Sequence, residues 1–338
     1  MIILRYLLFP FAILFGWITS IRNFLYDKGI FQSYSFDVPV IAVGNLSVGG
    51  TGKTPQIEYL IRLLSSNYKI ATLSRGYKRK SEGFCIADEH SNSELLGDEP
   101  YQMHLKFPEV IVAVDANRKN GIEQLLNHNP KPDVILLDDA YQHRKVKAGF
   151  YILLTAYDDL FCDDWMLPTG NLRESKTGAK RANMIIVTKC PKDISEIAQE
   201  NIKKKIGCKV PIFFSYIDYD DKVYNELGSK SVAEIKIVDK LLLAGIAKPN
   251  PFFAYLQSEN DEKLVYPDHH HFTEKDIKEI NSKQKDLIIT TEKDYVRLKT
   301  HHLNVPFYYL PIQSSFISDR TNFDNILIDY VGTSTRNR

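Results

Sequence analysis

The stretch Ser47-Val48-Gly49-Gly50-Thr51-Gly52-Lys53-Thr54 is built from the residue types that hold a nucleoside triphosphate. Glycines let successive backbone N–H groups turn inward on phosphate oxygens, a lysine meets the charge of the β- and γ-phosphates, and a hydroxyl holds Mg2+. Gly49, Gly50, Gly52, Lys53 and Thr54 supply those parts, and Ser47, Val48 and Thr51 complete the loop. Ser47 stands where the usual GxxxxGK[ST] pattern begins with glycine, so a strict pattern search passes over it. The competing reading is a glycine-rich turn with an accidental Lys-Thr. Further along, Val134-Ile135-Leu136-Leu137-Asp138-Asp139 is an apolar run ending in two acids. Placed beside the loop, one or both carboxylates would reach Mg2+ directly or through water, because a hard divalent cation takes oxygen ligands. Taken alone, twin aspartates could also simply close a turn.

These residues need elements to position them. Val38 to Val43 is a β-branched run that ends in Gly44-Asn45, and Gln56 to Leu64 has a helical pattern, so the loop joins a strand to a helix. Apolar runs recur at 69–73, 110–114, 134–137, 151–155 and 184–188, with room for helices between them. That alternation predicts an α/β fold of the P-loop NTPase type, a mostly parallel sheet with helices on both faces. A second group of runs at 211–216, 240–244, 286–290 and 307–310, with a helix over 272–281, predicts a smaller C-terminal α/β domain. The charged stretch 192–205 is a plausible seam, which divides the chain into an N-terminal segment 1–28, a P-loop domain 29–205 and a C-terminal domain 206–338.

A chain of 338 residues suits two domains, since single cores stop growing at roughly 250–300 residues. Its 44% hydrophobic and 25% charged residues are ordinary globular composition, and exclude disorder and a polytopic membrane protein. A net charge of +1 gives no reason to expect nucleic acid as a partner; the basic clusters 78–80, 144–145 and 203–205 read as solvated faces. Cys85, Cys162, Cys190 and Cys208 lie far apart, without the spacing of a zinc site or a disulfide framework, which fits a reducing cytoplasm.

Residues 1–21 are the compositional outlier: apolar except for Arg5, Thr19 and Ser20, with Arg22 and Lys28 following. About 20 apolar residues span a bilayer as a helix, but Arg5 and Pro10 shorten the uninterrupted part toward an interfacial anchor. A secretory signal would need a small-x-small cleavage site, which is missing, and would separate the loop from its nucleotide. A retained membrane anchor is the favoured expectation; a buried core helix is the alternative.

Several further stretches resemble one family, the tetraacyldisaccharide 4'-kinases of lipid A biosynthesis, and together they span most of the chain. They are Val43 to Pro55, Ser74-Arg75-Gly76-Tyr77, Gly97-Asp98-Glu99-Pro100, Leu137-Asp138-Asp139 with Gln142-His143, Leu172-Arg173-Glu174, Pro267-Asp268-His269 and Thr291-Glu292-Lys293-Asp294. The chain departs from that pattern within Pro168 to Ser175, where PxGPLREP is usual, and at Ala140-Tyr141, within the commoner DDGFQH. The resemblance implies a membrane-associated, ATP- and Mg2+-dependent kinase at the cytoplasmic side of the inner membrane. Its acceptor would be the 4'-hydroxyl of a tetraacylated glucosamine disaccharide 1-phosphate, and its product the bisphosphorylated lipid A precursor of lipopolysaccharide. A sugar hydroxyl is a poor nucleophile at neutral pH, so a positioned carboxylate that takes its proton is expected. The resemblance makes Asp98 that base and His269 its partner, with Lys53 on the phosphates. Thr54, Asp138, Asp139 and Glu99 become the Mg2+ set, and Arg75, His143 and Arg173 the groups that meet phosphate or sugar. From the residues alone, Asp98 reads equally well as a helix cap, the arginines as surface ion pairs, and the His269–His271 run as an unlikely metal site.

A membrane-bound P-loop switch or partitioning ATPase is the alternative from another class, since VGGTGKT aligns with the KGGVGKT loop of that group. Its signature lysine would fall at Val48. A GTPase would need [NT]KxD, which Thr188-Lys189-Cys190-Pro191 fails at its last place. A nucleotide-gated scaffold without turnover would leave Asp98 and His269 unexplained.

Overall fold

The computed structural model describes residue 5, residues 7–268 and residues 270–336. The strands expected from β-branched apolar runs form, and they divide between two sheets. In the first, β1 (Val40–Asn45) lies between β5 (Val134–Asp138) and β6 (Phe150–Ala156), parallel to both. β2 (Ile70–Ser74) and β4 (Ile111–Val114) extend the sheet beyond β5, and β7 (Met184–Thr188) and β8 (Ile212–Tyr219) extend it beyond β6. The short β3 (Cys85–Ile86) and the returning β15 (Ile312–Phe316) close its edges antiparallel. Every residue of β1, β5 and β7 is buried, which is why these strands read as continuous apolar runs.

Chain order sets the place of the site. After β1 the chain builds the sheet out on one side through β2 to β5, then resumes on the other side with β6 to β8. The C-terminal end of β1 is therefore a topological switch point, where open parallel sheets leave a crevice for ligands. Helix α1 (Phe9–Asp27) precedes this sheet; α2 (Lys53–Leu64), α3 (Ser93–Leu96), α4 (Asp98–Lys106), α5 (Arg118–Leu126) and α6 (Glu196–Ile206) connect its strands.

The first sheet continues past residue 205, because β8 pairs with β7; sheet membership changes between Tyr219 and Lys222. The second sheet runs β10 (Gly228–Ser231), β9 (Lys222–Asn225), β14 (Phe307–Leu310), β13 (Leu287–Thr291), β11 (Lys240–Ala244), β12 (Glu262–Val265), with its last four strands parallel. Helices α7 (Val232–Lys236), α8 (Asn250–Leu256), α9 (Glu274–Ser282) and α10 (Glu292–Leu298) belong to it. The chain then crosses back at Pro311, and α11 (Arg320–Arg336) buries Phe323, Leu327 and Val331 in the core of the first sheet. At roughly 1.5–3 kcal/mol for each fully buried side chain, those anchors fasten the C-terminus to the P-loop sheet.

Helix α1 is not a core element. Only Ala12 and Thr19 are buried, while Phe11 and Trp17 are 62% and 69% exposed. Among the described residues no helix is long and apolar enough to cross a membrane.

Candidate active site

The loop between β1 and α2 takes up the backbone its glycines permit. Gly49 and Gly52 have φ of 111° and 82°, a region where a Cβ is strained, and Gly52 caps α2 in the left-handed conformation. The loop is held from both sides. Val48 N–H donates to Asn171 O at 2.8 Å and Arg173 N–H to Leu46 O at 2.7 Å. From β7, Thr188 Oγ1 donates to Thr51 O at 2.8 Å and Lys189 Nζ to Gly50 O at 2.6 Å. Two consecutive carbonyls are thereby held from β7, the Thr51 N–H bonds back to Gly49 O at 3.1 Å, and the glycine amides of the turn remain to meet an anion.

Lys53, at the start of α2, sits 3.5 Å from Asn45 Oδ1 and 3.8 Å from Asp139 Oδ1. Asp139 follows the end of β5 with φ of 47°, a left-handed conformation that costs a non-glycine residue on the order of 1 kcal/mol and sets the direction of its carboxylate. Arg173, expected on the acceptor, instead lays its guanidinium on Asp139 (Nη2 to Oδ1 2.8 Å, Nη1 to Oδ2 3.1 Å) and on Asn45. Partial burial pushes Asp139 up, but Lys53 and Arg173 outweigh it and hold the carboxyl at about 2. Its neighbour behaves oppositely. Burial, followed by the nearby Glu99, pushes Asp138 up to about 7, and Asp138 Oδ1 is buried without a hydrogen-bond partner. A buried, orphaned carboxylate oxygen close to Lys53 of the loop is a fitting ligand for a divalent cation, which would restore its ionised form. Among the described residues no three His, Cys, Asp or Glu side chains form a ready-made ion cage. A P-loop site does not need one, because the hydroxyl, the acids and phosphate oxygens share the cation.

Asp98 and Glu99 open α4 at the edge of this group. The helix-cap reading of Asp98 does not hold: the N-cap is Gly97, and no side-chain capping bond is made. Gly97 has φ 90° and ψ 157°, and a Cβ there would lie 3.0 Å from Tyr77 O, so the GDEP turn packs directly on the SRGY turn. That backbone region is open essentially to glycine alone at a cost of about 1–3 kcal/mol, so Gly97→Ala is expected to lower thermal stability by that order and reduce turnover with it. A melting curve unchanged from wild type would contradict this. Asp98 Oδ2 accepts from Arg297 Nε and Nη2 at 2.8 and 2.6 Å, and Glu99 pairs with Lys293 at 2.7 Å. His269 lies outside the described residues; the next residue, His270, is engaged with Asp276 at 2.9 Å.

On the other side of Asp138, Arg118 is buried, donating to Asp115 O and Asp138 O, and burial lowers it to about 10. Burial and then the positive charges of Arg118 and Arg75 push His143 down to about 4. Arg118 and His143 line a cavity of about 250 Å3 with Asn117, Lys119 and Lys145. Glu174, fully buried, accepts from Arg181, Gln142 and Asn23, which ties Gln142, the chain neighbour of His143, to the end of α1.

The family model described as Tetraacyldisaccharide-1-P 4'-kinase matches residues 4–332. The chain belongs to that family. It is 68% identical to the tetraacyldisaccharide 4'-kinase of Flavobacterium johnsoniae, covering 97% of this chain and 98% of the relative, and 45% identical to that of Bacteroides thetaiotaomicron, covering 98% and 94%. Among solved structures it is similar to LpxK from Aquifex aeolicus in complex with ATP, with a TM-score of 0.81, 29% identity, and coverage of 97% of this chain and 99% of that one. The switch-type ATPase alternative is the weaker reading, since the family model matches along the whole chain and Val48 occupies the position of its signature lysine.

Family membership sharpens which residues the sequence reading left out. Thr188 and Lys189, which in the sequence match only part of a base-reading motif, brace the loop. The strand ending in Thr-Lys was the available signal. Lys189 has φ of 58°, and burial, then Lys248, pushes its ammonium down, with Lys293 and Lys53 adding to the repulsion. Two of these four lysines come from each sheet, a concentration of charge suited to a polyphosphate.

Proposed function

We propose that this chain transfers the γ-phosphate of ATP to the 4'-hydroxyl of a tetraacylated glucosamine disaccharide 1-phosphate, forming the bisphosphorylated lipid A precursor. The observation that carries the reading is family membership along the whole chain, and the P-loop at the switch point of the first sheet agrees with it. In this reading the amides of Gly49 to Gly52 and the Lys53 ammonium hold the β- and γ-phosphates in line with the acceptor. Thr54 and Asp138, with Asp139 or Glu99, would hold Mg2+, which when bound neutralises charge on the phosphates. Asp98 accepts the proton of the 4'-hydroxyl as its oxygen bonds to the γ-phosphorus and the bond to the β–γ bridging oxygen breaks, leaving ADP. His269 is its partner. Arg75 and His143, with the buried Arg118, meet the anionic or sugar part of the acceptor; Arg173 fixes Asp139 and Asn45.

The acceptor is a lipid, and α1 suits its delivery at the cytoplasmic face of the inner membrane. Its exposed Phe11, Trp17, Ile18 and Ile21 form an interfacial surface, and Trp165, 57% exposed, adjoins it through Phe9 at 5.7 Å between ring centroids. The other end of α1 donates to the site through Asn23 on Glu174 (2.7 Å). We take the two sheets as two domains, the first formed by the chain up to about residue 220 and again from Pro311 onward, the second by the residues between.

Incubation with [γ-32P]ATP and the disaccharide 1-phosphate lipid tests the reaction: a labelled bisphosphorylated lipid is expected, and ATP hydrolysis without labelled lipid would refute it. In the same preparation the protein is expected to stay on anionic vesicles through a high-salt wash, because apolar burial is not screened as ion pairing is. Release by salt would remove α1 from the anchor role.

A further inference from the structure

The Thr291-Glu292-Lys293-Asp294 stretch has no part in the chemistry above, yet its contacts converge on the helix that carries Asp98. Thr291 ends β13 and caps α10, with its Oγ1 donating to Asp294 Oδ2 at 2.7 Å. Gly245 N–H, from the end of β11, donates to the same oxygen at 2.8 Å. Asp294 is fully buried, and its other oxygen accepts from Arg297 Nη1 at 3.1 Å, one turn along α10. The guanidinium held in this way directs Nε and Nη2 at Asp98 Oδ2. On either side of that contact, Lys293 reaches Glu99, and Glu292 takes the ammonium of Lys106 at 2.6 Å, at the far end of α4. One short helix of the second sheet thus grips both ends of a helix of the first.

We propose that α10 is a clasp through which the second sheet positions Asp98, with Arg297 as the positioning residue and Asp294 as the group that orients it. The inference rests on the reading of Asp98 as the base. Exposed ion pairs contribute little, but here the Arg297 side chain is 5% exposed and that of Asp98 19%. In so dry a place a two-point, charge-assisted contact fixes carboxylate direction, and removing one partner leaves a buried charge. The chain of contacts from Gly245 and Thr291 through Asp294 and Arg297 runs from the C-terminal ends of β11 and β13 to the reacting carboxylate. Correct placement of the second sheet thereby becomes a condition for correct placement of the base.

Arg297→Met is expected to lower kcat by roughly 10², the usual effect of misplacing a reacting group by about 1 Å, with the KM for ATP within about twofold of wild type. Arg297→Lys, which keeps the charge but not the fork, is expected to fall between the two. ATP binding and melting temperature are measured on the same samples. In an Asp98→Asn background Arg297→Met should add no further loss, because it acts through Asp98. A wild-type kcat in Arg297→Met, or losses that multiply in the double variant, would overturn the clasp. Should Arg297→Met not fold, Arg297→Lys decides: an unchanged kcat there overturns it equally. If Asp98→Asn itself turns over normally, the base assignment has failed; if Asp98→Asn is inactive and Arg297→Met is not, only the clasp has.

Discussion

Lys53→Ala is expected to remove phosphoryl transfer, by roughly 10²–10³ at the least, in a protein that still folds. Transfer of a phosphoryl group asks little covalent chemistry of the protein, so positioning and charge carry the rate. Lys53 supplies both: it stands at the first position of α2, beyond Gly52, with its ammonium near Asn45 and Asp139. Removing it does not strand Asp139, because Arg173 remains on that carboxylate at 2.8 Å. Nor does it open the core, since Lys53 is half-buried at the loop mouth. The change should therefore appear in kcat with little movement of the melting temperature. Single-turnover transfer from labelled ATP measures it, and a folded Lys53→Ala protein near the wild-type rate would mean that the loop is not the phosphate site.

How far the sequence discloses this site depends on whether a residue's reason is local. Gly49 and Gly52 are legible because glycine adopts their positive φ values without strain, and β1, β5 and β7 because burial on both faces leaves β-branched runs. The mostly exposed β10, β9 with Val223 as its one fully buried residue, and β12 with its alternating exposure carry no such mark and escape a reading for apolar runs. Long-range partners are the least legible. Arg297 meets Asp98 across 199 residues, and Arg173 meets Asp139 across 34, so neither arginine could be told from a surface ion pair by spacing. The contact that Arg173 makes with Asp139 is not legible in the sequence for that reason. Its type matched an acceptor contact, and only the fold reveals that Asp139, in its left-handed backbone, needs a partner on that side. The SRGY and GDEP stretches were recognised by resemblance, while their cause, the contact of Gly97 with the Tyr77 carbonyl, is tertiary.

Asp98→Asn is expected to lower kcat by roughly 10²–10⁴, the range for a general base, with ATP affinity nearly unchanged. The amide is the informative substitution because it is isosteric and its oxygen still accepts from Arg297, so the start of α4 and the grip of α10 on it are preserved. What is lost is the ability to take a proton from the acceptor hydroxyl. ATP should not register the change, since the loop amides, Lys53 and Thr54 belong to other elements. The expected pattern is thus a fall in kcat at constant ATP dissociation constant, with some lowering of the melting temperature because Arg297 keeps only the Asp294 charge, measured with saturating lipid acceptor. His269→Ala should give a comparable fall, and the two substitutions together little more than either alone, because groups that act as a unit are not additive. Multiplication of the two losses would show that His269 works apart from Asp98, and near wild-type turnover in Asp98→Asn would move the search for the base to the other acid of the turn, Glu99, whose carboxylate faces Lys293 at 2.7 Å and raises the pKa of Asp138.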